Sequence, residues 1–150
     1  MEREEIISKL NKYFDIQELV CPHTYKKFSE DSWVVLSTEL LETILFLRDK
    51  LFAKPIYANR SNQTQRGFRC NICTIPASHT LLYDPYISAH CTGNAIDFDV
   101  KGITADEARK RIKDYANLLP YKVRLEKGTS WIHLDVYNFP SNGKVEEFNP

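Results

Sequence analysis

The spacing of apolar residues changes several times along this chain, and each change marks an element. Ile6, Ile7, Leu10 and Phe14 recur at helical intervals, which predicts a short amphipathic helix over residues 2–13. A further helical turn is expected over Asp15 to Leu19. Cys21 to Trp33 is polar, contains a proline and reads as a loop. Residues 38–53 carry the clearest helical pattern. Leu40, Leu41, Ile44, Leu45, Leu47, Leu51 and Phe52 form a broad apolar face, and Ser37 or Thr38 can cap its start. Pro55 follows, and Ile56-Tyr57-Ala58 reads as a strand. No period persists over residues 59–88, which are therefore expected to form a long loop. Loops of this length in a small domain usually build a site.

Alternation begins at Asn94 and runs to Val100. Ala95, Asp97 and Asp99 share one face, and Ile96, Phe98 and Val100 the other. Thr104-Ala105-Asp106-Glu107 is a capping box that opens a helix to about Leu118. Tyr121 to Leu125 reads as a strand, Lys127-Gly128-Thr129 as a turn, and Trp131 to Tyr137 as the antiparallel return. The tail from Asn138 is turn-rich and polar. This order predicts one domain over residues 1–150, of the α+β class, with a small antiparallel sheet and helices packed on it.

Composition narrows the function classes. Twenty basic and twenty acidic residues cancel, so no net field favours nucleic acid. Apolar runs are far shorter than a membrane span, so no membrane insertion is expected. The charged start, Met-Glu-Arg-Glu-Glu-Ile-Ile, lacks the apolar run of a signal peptide. Cytoplasmic synthesis is the expectation, and a target outside the cell would need another means of delivery. A monomer is expected.

Four cysteines are present: Cys21, Cys70, Cys73 and Cys91. Without a secretion signal, disulfides are not the default. Cys70 and Cys73 have metal-ligand spacing, and with Cys21 or His23 they can close a second, structural zinc site. The alternative is buried thiols that pack as small hydrophobes.

The chemistry concentrates in His90, Asp97 and His133. Two imidazoles and a carboxylate suffice for a catalytic zinc whose fourth position stays open. Such an ion lowers the pKa of its water to about 7 and polarises a carbonyl. Asp97 and His133 fall on alternating strands, and His90 enters from the preceding loop, where Gly93 allows a close turn. The competing readings are a hydrogen-bonded core histidine and a solvated aspartate. His23 and His79 read as ordinary surface or loop residues.

Three segments carry a resemblance: Ser88-Ala89-His90, Gly93-Asn94-Ala95-Ile96-Asp97, and Trp131-Ile132-His133-Leu134-Asp135. Together they resemble the zinc D-Ala-D-Ala carboxypeptidase family, whose superfamily includes phage L-alanyl-D-glutamate endolysins and the hedgehog signalling domain. Arg66-Gly67-Phe68-Arg69 with Asn71 looks like that family's Ser-Gly-Tyr-Arg segment. Phe14 with Glu18-Leu19-Val20-Cys21 resembles its N-terminal Phe…Glu-Phe-x-Cys stretch. The match runs from about Phe14 to Tyr137.

The resemblance implies a hedgehog-like fold and a zinc peptidase acting on stem peptides of bacterial peptidoglycan, as a carboxypeptidase or endopeptidase. His90, Asp97 and His133 take the ligand roles. Arg69 takes the role of the cation that holds a substrate carboxylate or stabilises an oxyanion, with Arg60 as the competitor. Without a signal peptide, such an enzyme fits a phage lytic or virion-associated protein. One departure matters. Many family members carry an acidic residue three positions before the last histidine, where this chain has Ser130. That leaves Glu126 or Asp135 as the catalytic base, with Glu126 preferred and Asp135 orienting His133. The alternative function is a catalytically silent zinc-binding structural or binding module.

Overall fold

A computed structural model describes residues 1–137 and 143–150. The fold is α+β. Five α-helices occur among the described residues: α1 (Arg3–Leu10), α2 (Pro22–Phe28), α3 (Thr38–Phe46), α4 (Thr74–His79) and α5 (Ala105–Asp114). Five strands, β1 (Ile56–Tyr57), β2 (Ala95–Val100), β3 (Val123–Glu126), β4 (Ile132–Asp135) and β5 (Val145–Phe148), form one sheet in the order β1-β2-β4-β3-β5. No helix among the described residues is long and apolar enough to cross a membrane.

Local chemistry explains most boundaries. Ser37 Oγ accepts the Leu40 amide at the start of α3, which continues through a wider helical turn over Leu47–Leu51. The Thr104–Glu107 capping box opens α5 as expected, with both reciprocal bonds formed. Alternation on β2 sends Ile96, Phe98 and Val100 into the core, where they meet Ile132 and Leu134 of β4 and Val123 and Leu125 of β3. Helix α5 contributes Ala108 and Ile112 to that core, and α3 contributes Leu40, Leu41 and Ile44. The opposite face of β2, β3 and β4 is free to carry polar chemistry.

Three segments differ from their sequence reading. Cys21–Trp33 is helical: Pro22 begins α2, where its missing amide costs nothing, and a tighter helical stretch follows over Ser29–Val35. The 59–88 segment contains α4, which is too short to show a period. Strand β5 falls in the polar tail and pairs parallel with β3, so the sheet is mixed rather than purely antiparallel. An edge strand with one half-exposed face has no strong apolar alternation to betray it. The expected turns over 138–142 lie outside the described residues.

Candidate metal centre

Antiparallel pairing of β2 and β4 sets Asp97 opposite His133 and Ala95 opposite Asp135. Pairing of β3 and β4 sets Arg124 opposite Asp135, and one further step brings Glu126 beside His133. On the far side of β3, Glu126 pairs with Phe148. One face of the sheet therefore holds Asp97, His133, Glu126 and Phe148 in a row. The Phe148 ring meets His133 edge-on, with centroids 5.6 Å apart.

His90 arrives from a tight helical turn over Ala89–Thr92. Gly93 ends that turn at φ +71°, and a Cβ there would lie 1.9 Å from the Val35 carbonyl oxygen. His90 Nδ1 lies 2.8 Å from the Gly67 carbonyl oxygen. A carbonyl only accepts, so Nδ1 carries the proton and Nε2 presents its lone pair. That lone pair faces Asp97 Oδ1 at 3.2 Å and His133 Nδ1 at 3.3 Å. His133 Nδ1 lies 2.8 Å from Asp97 Oδ1. Its other nitrogen, Nε2, donates to Asp135 Oδ2 at 2.8 Å. Both imidazoles thus have their outer nitrogen held by an acceptor and their inner nitrogen aimed at one point. His90 Nε2, Asp97 Oδ1 and His133 Nδ1 converge there, and once the His133 Nδ1 proton is released all three can ligate a cation.

Asp135, Arg66 and Arg69 are buried, and Arg124 is half-buried. Asp135 is fully buried and bound in fork geometry by Arg124, at 2.8 Å and 2.9 Å. Arg69 donates to Asp97 Oδ2 at 3.3 Å and to the Gln65 carbonyl. Arg66 holds a different carboxylate, Asp99, and the carbonyls of Tyr57 and Ala58. Arg60 is remote: its guanidinium stacks on Tyr57, and it lines a separate cavity with Asp15, Glu18 and Tyr25. Of the two candidate arginines, Arg69 is therefore the one at this centre.

Burial opposes charge throughout the cluster. At Asp97, hydrogen bonds with His133 and His90 overcome it and hold the carboxyl below the usual carboxylate range. At His133, bonds to Asp135 and Asp97 overcome it and push the imidazole up to about 9. At His90 burial prevails over the Asp97 attraction and lowers the pKa, which favours the neutral ligand form. Asp135 stays below its ordinary range against burial, because His133 and Arg124 both donate to it.

Two cavities of about 410 and 430 Å³ meet at Arg69, Asp97 and Trp131. One contains His90, His133, Glu126 and Asp135, with Tyr86, Ile87, Tyr137 and Phe148 in its wall. The other contains Ser130 with Arg66, Asp99 and Ile75. Sequence reasoning missed Arg124, Phe148 and the aromatic wall. Arg124 had a usable signal, since it lies directly across the hairpin from Asp135. Phe148 had none, because β5 was unread. His79 is not at the centre; it stacks near Tyr86 at 5.2 Å.

Among the described residues a second group can hold a metal ion: Cys21, His23, Cys70 and Cys73. His23, read from sequence as a loop residue, lies in α2 and belongs to this group. Cys91 belongs to neither group; its thiol meets Ser88 Oγ at 3.6 Å. No protein-family model matches this chain, and no curated protein or solved structure matches it either.

Proposed function

We propose that this chain is a zinc-dependent peptidase of the carboxypeptidase/endolysin type, acting on peptidoglycan stem peptides. The observation that carries the reading is the convergence of His90 Nε2, Asp97 Oδ1 and His133 Nδ1, with both outer ring nitrogens already engaged. Tetrahedral zinc with bonds of about 2.0–2.2 Å keeps its nitrogen and oxygen ligands about 3.3–3.6 Å apart. The two His90 distances, 3.2 and 3.3 Å, suit that spacing, and the 2.8 Å Asp97–His133 contact needs only a small expansion. Three protein ligands leave one position open, the pattern of a catalytic site.

A bound zinc supplies polarisation of the scissile carbonyl and an acidified water. The chain supplies the rest. Arg69, beside Asp97 and lining both cavities, offers N–H donors to a substrate carboxylate or a developing oxyanion. Glu126, next to His133 across β3 and β4 and in the same cavity, takes the proton and delivers it to the leaving amine. Asp135 is less suited to that role, because Arg124 and His133 occupy both of its oxygens. It instead fixes the His133 ring. Two cavities meeting at the centre accommodate an extended peptide on both sides of the scissile bond. A phage lytic or virion-associated setting agrees with this substrate.

Digestion of purified peptidoglycan by the zinc-loaded protein, read by mass spectrometry of the fragments, tests the proposal. Cleaved stem peptides are expected. Glu126→Gln should retain zinc and lose about 10²–10⁴-fold in rate. Intact stem peptides across substrates of differing cross-link and peptide composition, with zinc verified at His90, Asp97 and His133, would replace the enzyme with a silent zinc-binding module.

A further inference from the structure

We propose that Cys21, His23, Cys70 and Cys73 hold a second, structural zinc ion that fixes the segment carrying Arg69. This site is independent of the peptidase reading. Cys70 Sγ and Cys73 Sγ lie 3.7 Å apart, and His23 Nδ1 lies 3.4 Å from the first and 3.6 Å from the second. All four ligand atoms, including Cys21 Sγ, fall within 4.8 Å of one another. Tetrahedral zinc with bonds of about 2.3 Å to sulfur and 2.0–2.1 Å to nitrogen separates sulfur pairs by about 3.8 Å and sulfur–nitrogen pairs by about 3.5 Å. The three spacings among Cys70, Cys73 and His23 match that figure, and Cys21 Sγ lies within 4.8 Å of each of them. They are far too long for a disulfide, and all four cysteines are free.

The donor set selects the metal and its role. Three thiolates and an imidazole suit a borderline-soft ion such as zinc and leave no open coordination position. Cys21 and Cys73 are buried, whereas His23 is exposed, so the site has a solvent side through which an ion enters.

The backbone has already assembled the two ends. Leu19 and Phe68 are joined by Phe68 N–H donating to Leu19 O at 2.9 Å, and Cys21 N–H donates to Phe68 O at 3.1 Å. A Cβ on Gly67 would sit 2.0 Å from Leu19 O, so only glycine permits this approach. Cys73 N–H donates to Cys70 O at 3.2 Å, a tight turn that turns both thiols to one side. The ion would therefore clamp chain segments about fifty residues apart, directly beside Arg69, which bonds Asp97, and Gly67, whose carbonyl holds His90. An irregular segment with little core of its own gains rigidity from such a staple.

Cobalt substitution of the intact protein tests the site. Thiolate ligation produces an intense sulfur-to-cobalt charge-transfer band in the near ultraviolet, which the nitrogen–oxygen centre cannot produce. The expected result is two cobalt ions per chain with that band present. Cys70→Ser/Cys73→Ser should remove the band and one ion. His133→Ala should remove one ion and leave the band. His23→Cys should keep the band, since four thiolates still complete a tetrahedron. Two observations on the unmodified protein would overturn the proposal: no charge-transfer band at saturating cobalt, or rapid reaction of all of its thiols with a thiol reagent in the zinc-loaded native state.

Discussion

His133 is held from both sides, by Asp97 at one ring nitrogen and Asp135 at the other, and this predicts its titration. Without a metal it faces Asp97 from β2, Asp135 from its own strand, His90 from the Ala89–Thr92 turn, and Glu126 and Phe148 from β3 and β5. The two carboxylate bonds push its pKa up to about 9, above an unfolded value of about 6.5. A raised pKa stabilises the fold fully below about pH 6.5, and that contribution disappears as pH rises through about 9. NMR titration of the metal-free protein should therefore find the His133 ring protonated at neutral pH. Zinc, which needs the Nδ1 lone pair, should displace that proton and abolish the titration. A ring that is neutral at pH 7 without metal would contradict the arrangement. Substitution gives a second check at the same scale. His90→Ala and His133→Ala should each abolish zinc retention at this centre, measured by equilibrium dialysis. Asp135→Asn should weaken affinity about 10–100-fold, because the ring loses the charged acceptor that orients it and Arg124 loses one of its two acceptor oxygens.

Two glycines position the elements that carry these residues. Gly93 ends the His90 turn in the left-handed region against the Val35 carbonyl, and Gly67 presses on Leu19. Gly93→Ala should cost at least about 1–3 kcal/mol in strain, seen as a fall of several degrees in Tm, together with loss of metal affinity. Gly128→Ala is the control. It shares a positive φ of +79° but has open space around it, so its smaller cost should leave metal binding unchanged. At this scale the sequence is readable where periodicity is strong. Alternation over Ala95–Val100 and Ile132–Asp135 predicts which face carries Asp97, His133 and Asp135, and the structure brings them together with His90. The 59–88 segment resists reading for a physical reason. It is ordered by long-range backbone bonds to residues 19–21, by the Cys70–Cys73 turn and by Arg66 and Arg69 ion pairs, none of which leaves a period. Helix α2 and strand β5 are missed because each is short and polar on its outer side. Arg109 is missed as well. It is buried beneath the β3–β4 turn, donating to Thr129 O and Trp131 O, yet an arginine on an amphipathic helix reads as solvent-facing.

Across the whole molecule, the sheet divides labour between its faces. Ile96, Phe98, Ile132, Leu134, Val123 and Leu125 bury one face against α3 and α5, while the other presents Asp97, His133, Asp135 and Glu126. The candidate centre thus rests on the sheet that packs against the main core, while the Arg69 segment is tied by backbone hydrogen bonds to residues 19–21. Calorimetry should separate the two sites. If the proposed cysteine-site ion staples the 66–73 segment, Cys70→Ser/Cys73→Ser should lower Tm more than His133→Ala does. The most direct measurement is a crystal structure of the zinc-loaded protein with anomalous scattering recorded at the zinc edge. An anomalous peak about 2.0–2.2 Å from His90 Nε2, Asp97 Oδ1 and His133 Nδ1 is predicted. A fully loaded crystal with no peak there, and with His133 still hydrogen-bonded to Asp97, would contradict the metal centre on which the proposed activity depends.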